Sequence, residues 1–302
     1  MLWIPITIAA AFFQNLRSAV QRHLKSQLTD LGAASVRFLY ALPFALVWLA
    51  IVSSLSESSL PAVNSTFAIW VIGGAIAQIV FTFLLMGLFS LSNFTVGTAL
   101  SKTEVVQVIL LEALLLHESV SGHGLIAILI AFVGMMVMTL GRNRLSLSAL
   151  LLGFKQKATL VGLACGFALG LASVLFRGAA LSLEESGILM RSAFTLAIAT
   201  TIQTVILLVW LRLFQPGQIR RTLAQWRSCA MVGFAGWAAS IFWFMAFTLT
   251  HAAYVRALGQ IELIFTFVAS IVFFREKVSR TEVFGVVLLS GAIILLVLEK
   301  TP

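Results

Sequence analysis

The sequence predicts an all-α integral membrane protein, with ten transmembrane helices arranged as two inverted five-helix repeats. Three observations lead to this fold class: an apolar composition, ten hydrophobic runs of membrane-spanning length, and loop charges whose pattern inverts between the halves. Of the 302 residues, 60% are hydrophobic and only 10% are charged, whereas a soluble domain carries roughly 25% charged residues to wet its surface. Most of the surface must therefore face lipid.

In a membrane protein, the positions of the basic residues indicate which side of the membrane each loop faces. A net charge of +9 would suggest a nucleic-acid partner in a soluble protein. Here the lysines and arginines lie mostly between hydrophobic runs, where they orient the helices in the membrane, so we expect no nucleic-acid partner. The apolar N-terminal segment lacks the basic n-region of a secretory signal, and we interpret it as the first membrane helix.

Ten runs are long enough to cross the hydrocarbon core, which takes about 20 apolar residues in a helix. The connections are short, so sequential helices should be antiparallel neighbours. The predicted spans 1 to 10 cover residues 3–22, 33–52, 67–89, 95–116, 122–140, 158–181, 187–211, 228–248, 252–274 and 282–298.

The second half of the sequence repeats the first at an offset of 158 residues. This offset aligns FSLSNFTVGTALSKTEVVQVILLEALLLHESVS (89–121) with FTLTHAAYVRALGQIELIFTFVASIVFFREKVS (247–279). Acidic residues are scarce in this chain. The pairing of Glu104 with Glu262 and of Glu118 with Glu276 therefore carries more weight than the matched hydrophobic residues.

We predict a first repeat at 1–141, a basic linker at 142–157 and a second repeat at 158–302. An odd number of helices in each repeat places the two copies upside down relative to each other. The charges of the loops agree with this inverted arrangement of the repeats. The loop after span 1 is basic and its partner after span 6 is acidic, whereas the loop after span 2 has no lysine or arginine and its partner after span 7 has four arginines.

The same charges orient the whole chain. Only Lys300 lies clearly on the side of the even-numbered loops, whereas thirteen lysines and arginines lie in the loops after odd-numbered spans: Arg22, Lys25, Arg142, Arg144, Lys155, Lys157, Arg212, Arg220, Arg221, Arg227, Arg275, Lys277 and Arg280. By the positive-inside rule this side is cytoplasmic. Both termini should then be external in a multi-pass protein of the inner or plasma membrane.

These features resemble the EamA-type transporters of the drug/metabolite transporter superfamily. The resemblance covers essentially the whole chain and rests on the five-plus-five helices, on Arg37-Phe38 near the start of span 2, and on the turn into the last span of each repeat. That turn reads Gly-Glu-Lys/Arg in the family, and here it is His117-Glu118-Ser119-Val120-Ser121 and Arg275-Glu276-Lys277-Val278-Ser279. The glycine-containing ends of spans 5 and 10, around Gly134 and Gly291, are also similar to the family. Many members look cytoplasmic at both ends, in contrast to the charge pattern here.

The resemblance implies a transporter of a small solute, acting in a lipid bilayer without a cofactor. Two other classes compete with it. A membrane-embedded enzyme would need a nucleophile motif or a metal motif, and neither Gly-x-Ser-x-Gly nor His-Glu-x-x-His occurs. A receptor or scaffold would usually carry a sizeable extramembrane domain. The four histidines lie at helix ends without ligand-like spacing, so we expect no metal site. Export is favoured over import, and the sequence leaves open whether the protein is a monomer or a dimer.

Two embedded carboxylates are the first candidates for binding. An ionisable group in mid-membrane costs about 2.5–3.5 kcal/mol even on lenient scales, and Glu104 and Glu262 lie near the middle of spans 4 and 9. Residues at mid-depth of an inverted repeat can meet near its axis. In one interpretation both carboxylates face a central cavity and bind substrate or a proton. In the other, they form interior ion pairs with Lys102, Arg256 or an arginine of span 2.

Polar residues on other spans complete the candidates for binding substrate or a proton. Span 1 carries a polar stripe at spacings of three and four residues, and we expect Gln14 and Ser18 within it to line a cavity, because lipid does not tolerate such a stripe. Arg37 and Arg191 lie nearer helix ends, where snorkelling or structural pairing competes with substrate binding.

Span 9 adds Arg256 and Gln260, which lie one turn apart, and span 4 adds Lys102. Glu262 is roughly 120° round a continuous helix from Arg256. Embedded bases outnumber embedded acids, which favours an anionic or zwitterionic substrate such as an amino acid. Gly162, Gly166 and Gly170 form a stripe of small residues on span 6, which predicts helix packing within the molecule rather than a dimer face.

Overall fold

The computed structural model describes residues 1–24, 29–55, 60–89, 91, 94–143, 156–183, 186–272, 275 and 278–298. Within these ranges the regular structure is helical and no β-strand is present. The described residues form fourteen helices: α1 (Trp3–Leu24), α2 (Asp30–Leu39), α3 (Leu42–Leu55), α4 (Ser65–Phe89), α5 (Phe94–Ser101), α6 (Glu104–Leu115), α7 (Gly122–Asn143), α8 (Lys157–Leu181), α9 (Ile188–Phe214), α10 (Gln218–Ala224), α11 (Trp226–Leu249), α12 (Ala252–Gly259), α13 (Ile261–Val272) and α14 (Arg280–Leu298).

Eight helical stretches in the described ranges are long and apolar enough to cross a membrane. They coincide with predicted spans 2, 3 and 5 to 10: Gly32–Leu55, Ser65–Leu88, Gly122–Gly141, Lys157–Leu181, Ile188–Phe214, Trp226–Leu249, Ala252–Val272 and Arg280–Leu298. The chain is therefore an all-helical, multi-pass membrane protein, as its composition predicted.

The other two predicted spans differ for identifiable reasons. Helix α1 has 22 residues, which is long enough to cross, but it carries the polar stripe of span 1. Span 4 is divided at Lys102 and Thr103 into α5 and α6, of 8 and 12 residues, and it carries three charged residues, Lys102, Glu104 and Glu112. The count of ten membrane crossings stays a prediction.

The chain forms two compact units, and each unit takes segments from both halves of the sequence. Unit 1 comprises Met1–Ile4, Val80–Val174 and Thr250–Pro302, and unit 2 comprises Pro5–Ile79 and Leu175–Leu249. The predicted boundaries of the repeats concern duplication of the sequence rather than compactness, and they stay a prediction.

In unit 1, three glycines of α8 lie against α5 and α6. A Cβ atom added to Gly162 of α8 would overlap the Gly97 carbonyl oxygen of α5, and one added to Gly166 would lie 2.6 Å from the carbonyl oxygen of Ser101. A Cβ at Gly170 would lie 3.0 Å from the side chain of Val108 in α6. The prediction that this stripe serves packing within the molecule is thus confirmed, because small residues let helix backbones approach closely.

Unit 2 is built around α9, which packs on α2, α3 and α11. The Tyr40 hydroxyl donates to the backbone oxygen of Thr222 at 2.8 Å, which holds α10 against the end of α2. The Trp237 ring packs against Phe44 at 5.7 Å and Phe234 at 5.4 Å between ring centroids. Trp237 thus contributes to packing between helices of this unit.

The turns into α7 and α14 share an unusual backbone conformation. His117 and Arg275, which the 158-residue offset relates, have φ angles of 55° and 51°. This left-handed region favours glycine, and the related family has glycine at this point of the turn. Four residues later each turn ends in a serine that caps the next helix: Ser121 Oγ accepts from Gly124 N at 3.0 Å, and Ser279 Oγ accepts from Glu282 N at 3.2 Å.

Candidate functional site

Predicted spans 4 and 9 are each broken into two helices at related positions in unit 1. Helices α5 and α6 meet at Lys102 and Thr103, and α12 and α13 meet at Gln260. At each break the backbone tightens: Lys102 N donates to Ala99 O at 3.2 Å, and Gln260 N donates to Ala257 O at 3.2 Å. The offset of 158 residues relates Lys102 to Gln260. A short 3₁₀ turn inside a membrane helix often marks a hinge, and transporter binding sites are often built at discontinuous helices.

Each break places a glutamate in the first turn of the following helix, and each glutamate contacts a side chain from the other break. Lys102 Nζ lies 2.7 Å from Glu262 Oε1. Gln260 Nε2 lies 3.4 Å from Glu104 Oε1. The two contacts are reciprocal, because Lys102 corresponds to Gln260 and Glu262 corresponds to Glu104. A carboxylate in the first turn of a helix also interacts favourably with the helix dipole.

Arg256, one turn before its break, forms a salt bridge with Glu104. Both side chains are deeply buried, at 8% and 1% exposure, whereas Lys102 and Glu262 are 24% and 15% exposed. The second oxygen of Glu104, Oε2, is buried and has no hydrogen-bond partner among the described residues. We call Lys102, Glu104, Arg256, Gln260 and Glu262 the break cluster.

The break cluster contains the ion pairs that the second interpretation of the embedded carboxylates named. Lys102 and Arg256 were both offered as partners, and each takes a different glutamate. The first interpretation, in which the carboxylates also bind substrate or a proton, is developed under the proposed function.

The two candidates of α1 bond to their own surroundings in unit 2. Ser18 Oγ donates to the backbone oxygen of Gln14 at 2.8 Å. Gln14 Oε1 in turn accepts a hydrogen bond from Trp243 Nε1 at 3.1 Å. Arg191 Nε donates to the backbone oxygen of Ser186 at 2.6 Å, as expected for an arginine that pairs at a helix end.

A polar cleft in unit 2 brings Arg37 together with residues that the sequence analysis missed. The cleft is narrow, and its lining includes Arg37, Gln78, Thr200, Gln203 and Ser240. Gln203 Nε2 donates to Gln78 Oε1 at 2.6 Å. The sequence does contain a signal for this contact, because each of two apolar runs holds a single uncharged amide residue. A search for charged residues within the spans does not detect it.

A second polar group in unit 1 surrounds the start of α12. Both oxygens of Glu112 accept backbone hydrogen bonds, from Ala252 N at 2.7 Å and Ala253 N at 3.1 Å, so this buried carboxylate caps the helix. His251 Nδ1 lies 3.7 Å from Glu112 Oε1 and 3.5 Å from Glu118 Oε2. The spacing of histidines along the sequence gave no sign of this group, because the glutamates come from the other half of the chain.

Helices that are broken beside charged residues are a recurring feature of the binding sites of multi-pass transporters. The model of the EamA-like transporter family matches residues 156–298. The match covers the second half of the chain, where the resemblance drawn from the sequence is confirmed, and this family belongs to the drug/metabolite transporter superfamily. The matched family suggests a membrane transporter of this type.

The fold also agrees with a solved structure. The fold is similar to that of a protein whose crystal structure has been determined, with a TM-score of 0.70. The alignment covers 97% of this chain and 95% of that chain, at 13% sequence identity. At this identity the likeness shows the fold alone. No curated protein sequence matches the chain. The family is one of transporters, which is consistent with the expectation that the chain is not an enzyme.

Proposed function

We propose that the protein moves a small zwitterionic or anionic organic solute, of the amino-acid type, by alternating access between two inverted repeats, with export as its direction. The observation that carries this proposal is the reciprocal contact of the two helix breaks. A twofold relation between two copies makes residue i contact j′ and residue i′ contact j. The Lys102–Glu262 and Gln260–Glu104 contacts follow that pattern.

The free oxygen of Glu104 supports recognition of a cationic group on the substrate. A buried acceptor that lacks a donor costs about 1–3 kcal/mol, and such an atom in a native protein calls for a function or a missing partner. An ammonium group of a zwitterion would donate to Glu104 Oε2. Lys102, whose pair with Glu262 is partly exposed, would then exchange partners and bind the substrate carboxylate.

The charges of unit 2 support an anionic group on the substrate. Its embedded arginines are Arg17, Arg37, Arg177 and Arg191. Its acidic residues are Asp30, at the start of α2, and Glu57, Glu184 and Glu185, which lie between helices and outside the described residues. The embedded carboxylates all belong to unit 1, where Arg256 and Lys102 already neutralise two of them. An anionic solute is therefore the natural counter-charge for the helices of unit 2.

We expect neutral amino acids to stabilise the purified protein more than amines or acids that lack one of the two charged groups. A ligand at 100 times its dissociation constant raises the free energy of unfolding by about 2.7 kcal/mol. Thermal unfolding across matched sets of amino acid, amine and acid measures this effect. Uptake of the most stabilising compound into proteoliposomes then provides the transport assay.

In that assay Glu262→Gln should abolish transport and leave the unfolding temperature close to that of the parent. The reason is that a partly exposed ion pair contributes only about 0–1 kcal/mol to stability. Glu118→Gln is the matched control, because Glu118 lies in the same unit, is 27% exposed and is outside the break cluster. Full transport in both Glu104→Gln and Glu262→Gln would disprove a binding role for these carboxylates.

We further propose that both termini are external. Thirteen lysines and arginines after odd-numbered spans, against Lys300 on the other side, support this orientation. A reporter that is active only in the cytoplasm should be silent when fused after Pro302 and active when inserted in the linker at 142–157. The reverse result would assign the chain the orientation common in its family.

A further inference from the structure

A groove on unit 2 lies where α9 ends and the short helix α10 begins. Its cavity volume is about 300 Å³. Leu211, Ile219 and Leu223 line it with apolar surface, and Arg212 and Arg220 line it with basic side chains. We call it the basic groove. Its lining is thus both apolar and cationic.

The basic groove lies at the level where membrane spans end. The span Ile188–Phe214 finishes on one side of it, and the span Trp226–Leu249 begins a few residues further on. Phe214 and Trp226 are both exposed, and the Arg227 guanidinium lies 5.6 Å from the centre of the Trp226 ring. Exposed aromatic residues at span ends are typical of the membrane–water interface. If these two spans cross the bilayer, the groove lies where lipid head groups meet acyl chains.

The groove is held in shape by contacts from α2 and the loop before it. Thr29 Oγ1 donates to Gln215 Oε1 at 2.9 Å, and the Tyr40 hydroxyl fixes the backbone at Thr222. Gly217, at the turn into α10, has a φ of 90°, which glycine adopts without strain. A site that is already formed loses little entropy when it binds a ligand.

The arginines around the groove have no acidic partner among the side chains that the structure describes. Arg212, Arg220, Arg221 and Arg227 are all exposed, and none of them forms a salt bridge within the described part of the chain. The sequence from Ile188 to Leu249 contains no acidic residue at all. Guanidinium groups bind phosphate through paired, charge-assisted hydrogen bonds. Basic pockets at the ends of membrane helices attract anionic lipids.

We propose that the basic groove binds one anionic phospholipid, with the phosphate at Arg212 and Arg220 and an acyl chain along Ile219 and Leu223. This inference does not depend on the proposed function. The competing explanation is that these arginines only orient the helices and attract anionic lipid as diffuse surface charge. Under that explanation, all four arginines contribute equally to lipid binding. The proposed site instead gives the main contribution to Arg212 and Arg220, which line the groove.

The experiment compares two double variants of the full chain that remove the same charge. Arg212→Gln with Arg220→Gln empties the groove of its cations, and Arg221→Gln with Arg227→Gln removes two neighbouring exposed arginines that do not line it. Native mass spectrometry of each protein, titrated with phosphatidylglycerol or with phosphatidylcholine, measures retained lipid. Thermal unfolding in phosphatidylcholine verifies that both variants are folded.

We expect the groove variant to bind phosphatidylglycerol about 25-fold more weakly than the parent, at about fivefold for each arginine, and the control variant to change little. Phosphatidylcholine and free inorganic phosphate should bind the parent poorly. Equal losses in the two variants would overturn the proposal in favour of diffuse surface charge. Equal retention of phosphatidylcholine, or displacement of the lipid by inorganic phosphate alone, would also overturn it.

Discussion

Replacing Arg256 with glutamine should lower the free energy of unfolding by about 3–5 kcal/mol, because it leaves the Glu104 charge buried without a counter-charge. Glu104 is 1% exposed, so water cannot replace the lost partner. The same change at Lys102 should cost much less, since that pair is partly exposed and exposed pairs contribute about 0–1 kcal/mol. Lys102→Gln is therefore the matched control.

The two cysteines provide the measurement. Cys165 and Cys229 are both buried and free, and Cys165 belongs to unit 1 while Cys229 belongs to unit 2. In a Cys229→Ala background, a thiol-reactive fluorophore reports the opening of unit 1 around Cys165. The double variant Glu104→Gln with Arg256→Gln should regain most of the lost stability, because no charge is then left buried. Parent-like unfolding of Arg256→Gln would show that this ion pair does not hold α6 and α12 together.

The glycine stripe of α8 should show a graded loss of stability when each glycine is replaced with alanine. Gly162→Ala should be the most damaging, because its new methyl group overlaps a backbone carbonyl that cannot rotate away. Gly166→Ala should follow, with backbone atoms at 2.6 Å, and Gly170→Ala should be mildest, because its first neighbour is a side-chain methyl at 3.0 Å. Overpacking typically costs about 1–3 kcal/mol, and occasionally more.

Gly291→Ala in α14 is the control for this series. No atom lies within 4 Å of the added Cβ there, and alanine favours a helix by up to about 1 kcal/mol over glycine. This variant should unfold at or slightly above the parent temperature. Equal effects at Gly162 and Gly291 would contradict the packing of α8 against α5. Gly166→Ala should also weaken transport, since its new methyl group would lie 3.2 Å from Glu104 N at the first break.

The sequence alone predicted the features that depend on local composition. A 20-residue apolar run predicts a membrane helix, because a helix of this length spans the hydrocarbon core and satisfies its backbone hydrogen bonds within the segment. Eight predicted spans therefore coincide with helices that can cross a membrane. The family resemblance rested on short motifs such as Arg37-Phe38 and the two turns, and these were equally local.

The pairing of charges within the break cluster could not be predicted from the local sequence. The sequence offered both Lys102 and Arg256 as partners for the glutamates, and only the folded chain assigned Arg256 to Glu104 and Lys102 to Glu262. The angle between Arg256 and Glu262 was taken from a continuous helix. The break at Gln260 interrupts that helix, so the angle does not describe their true relation.

The contacts across the sequence halves were decided by tertiary structure alone. Gln78 meets Gln203 although 125 residues separate them, and His251 lies beside Glu112 in the other half of the chain. The spacing of residues along the sequence predicts neither contact, because an amide or imidazole within an apolar run shows no preference for any one partner. Local sequence determines that such a group must be satisfied away from lipid. Which group satisfies it depends on how the helices pack.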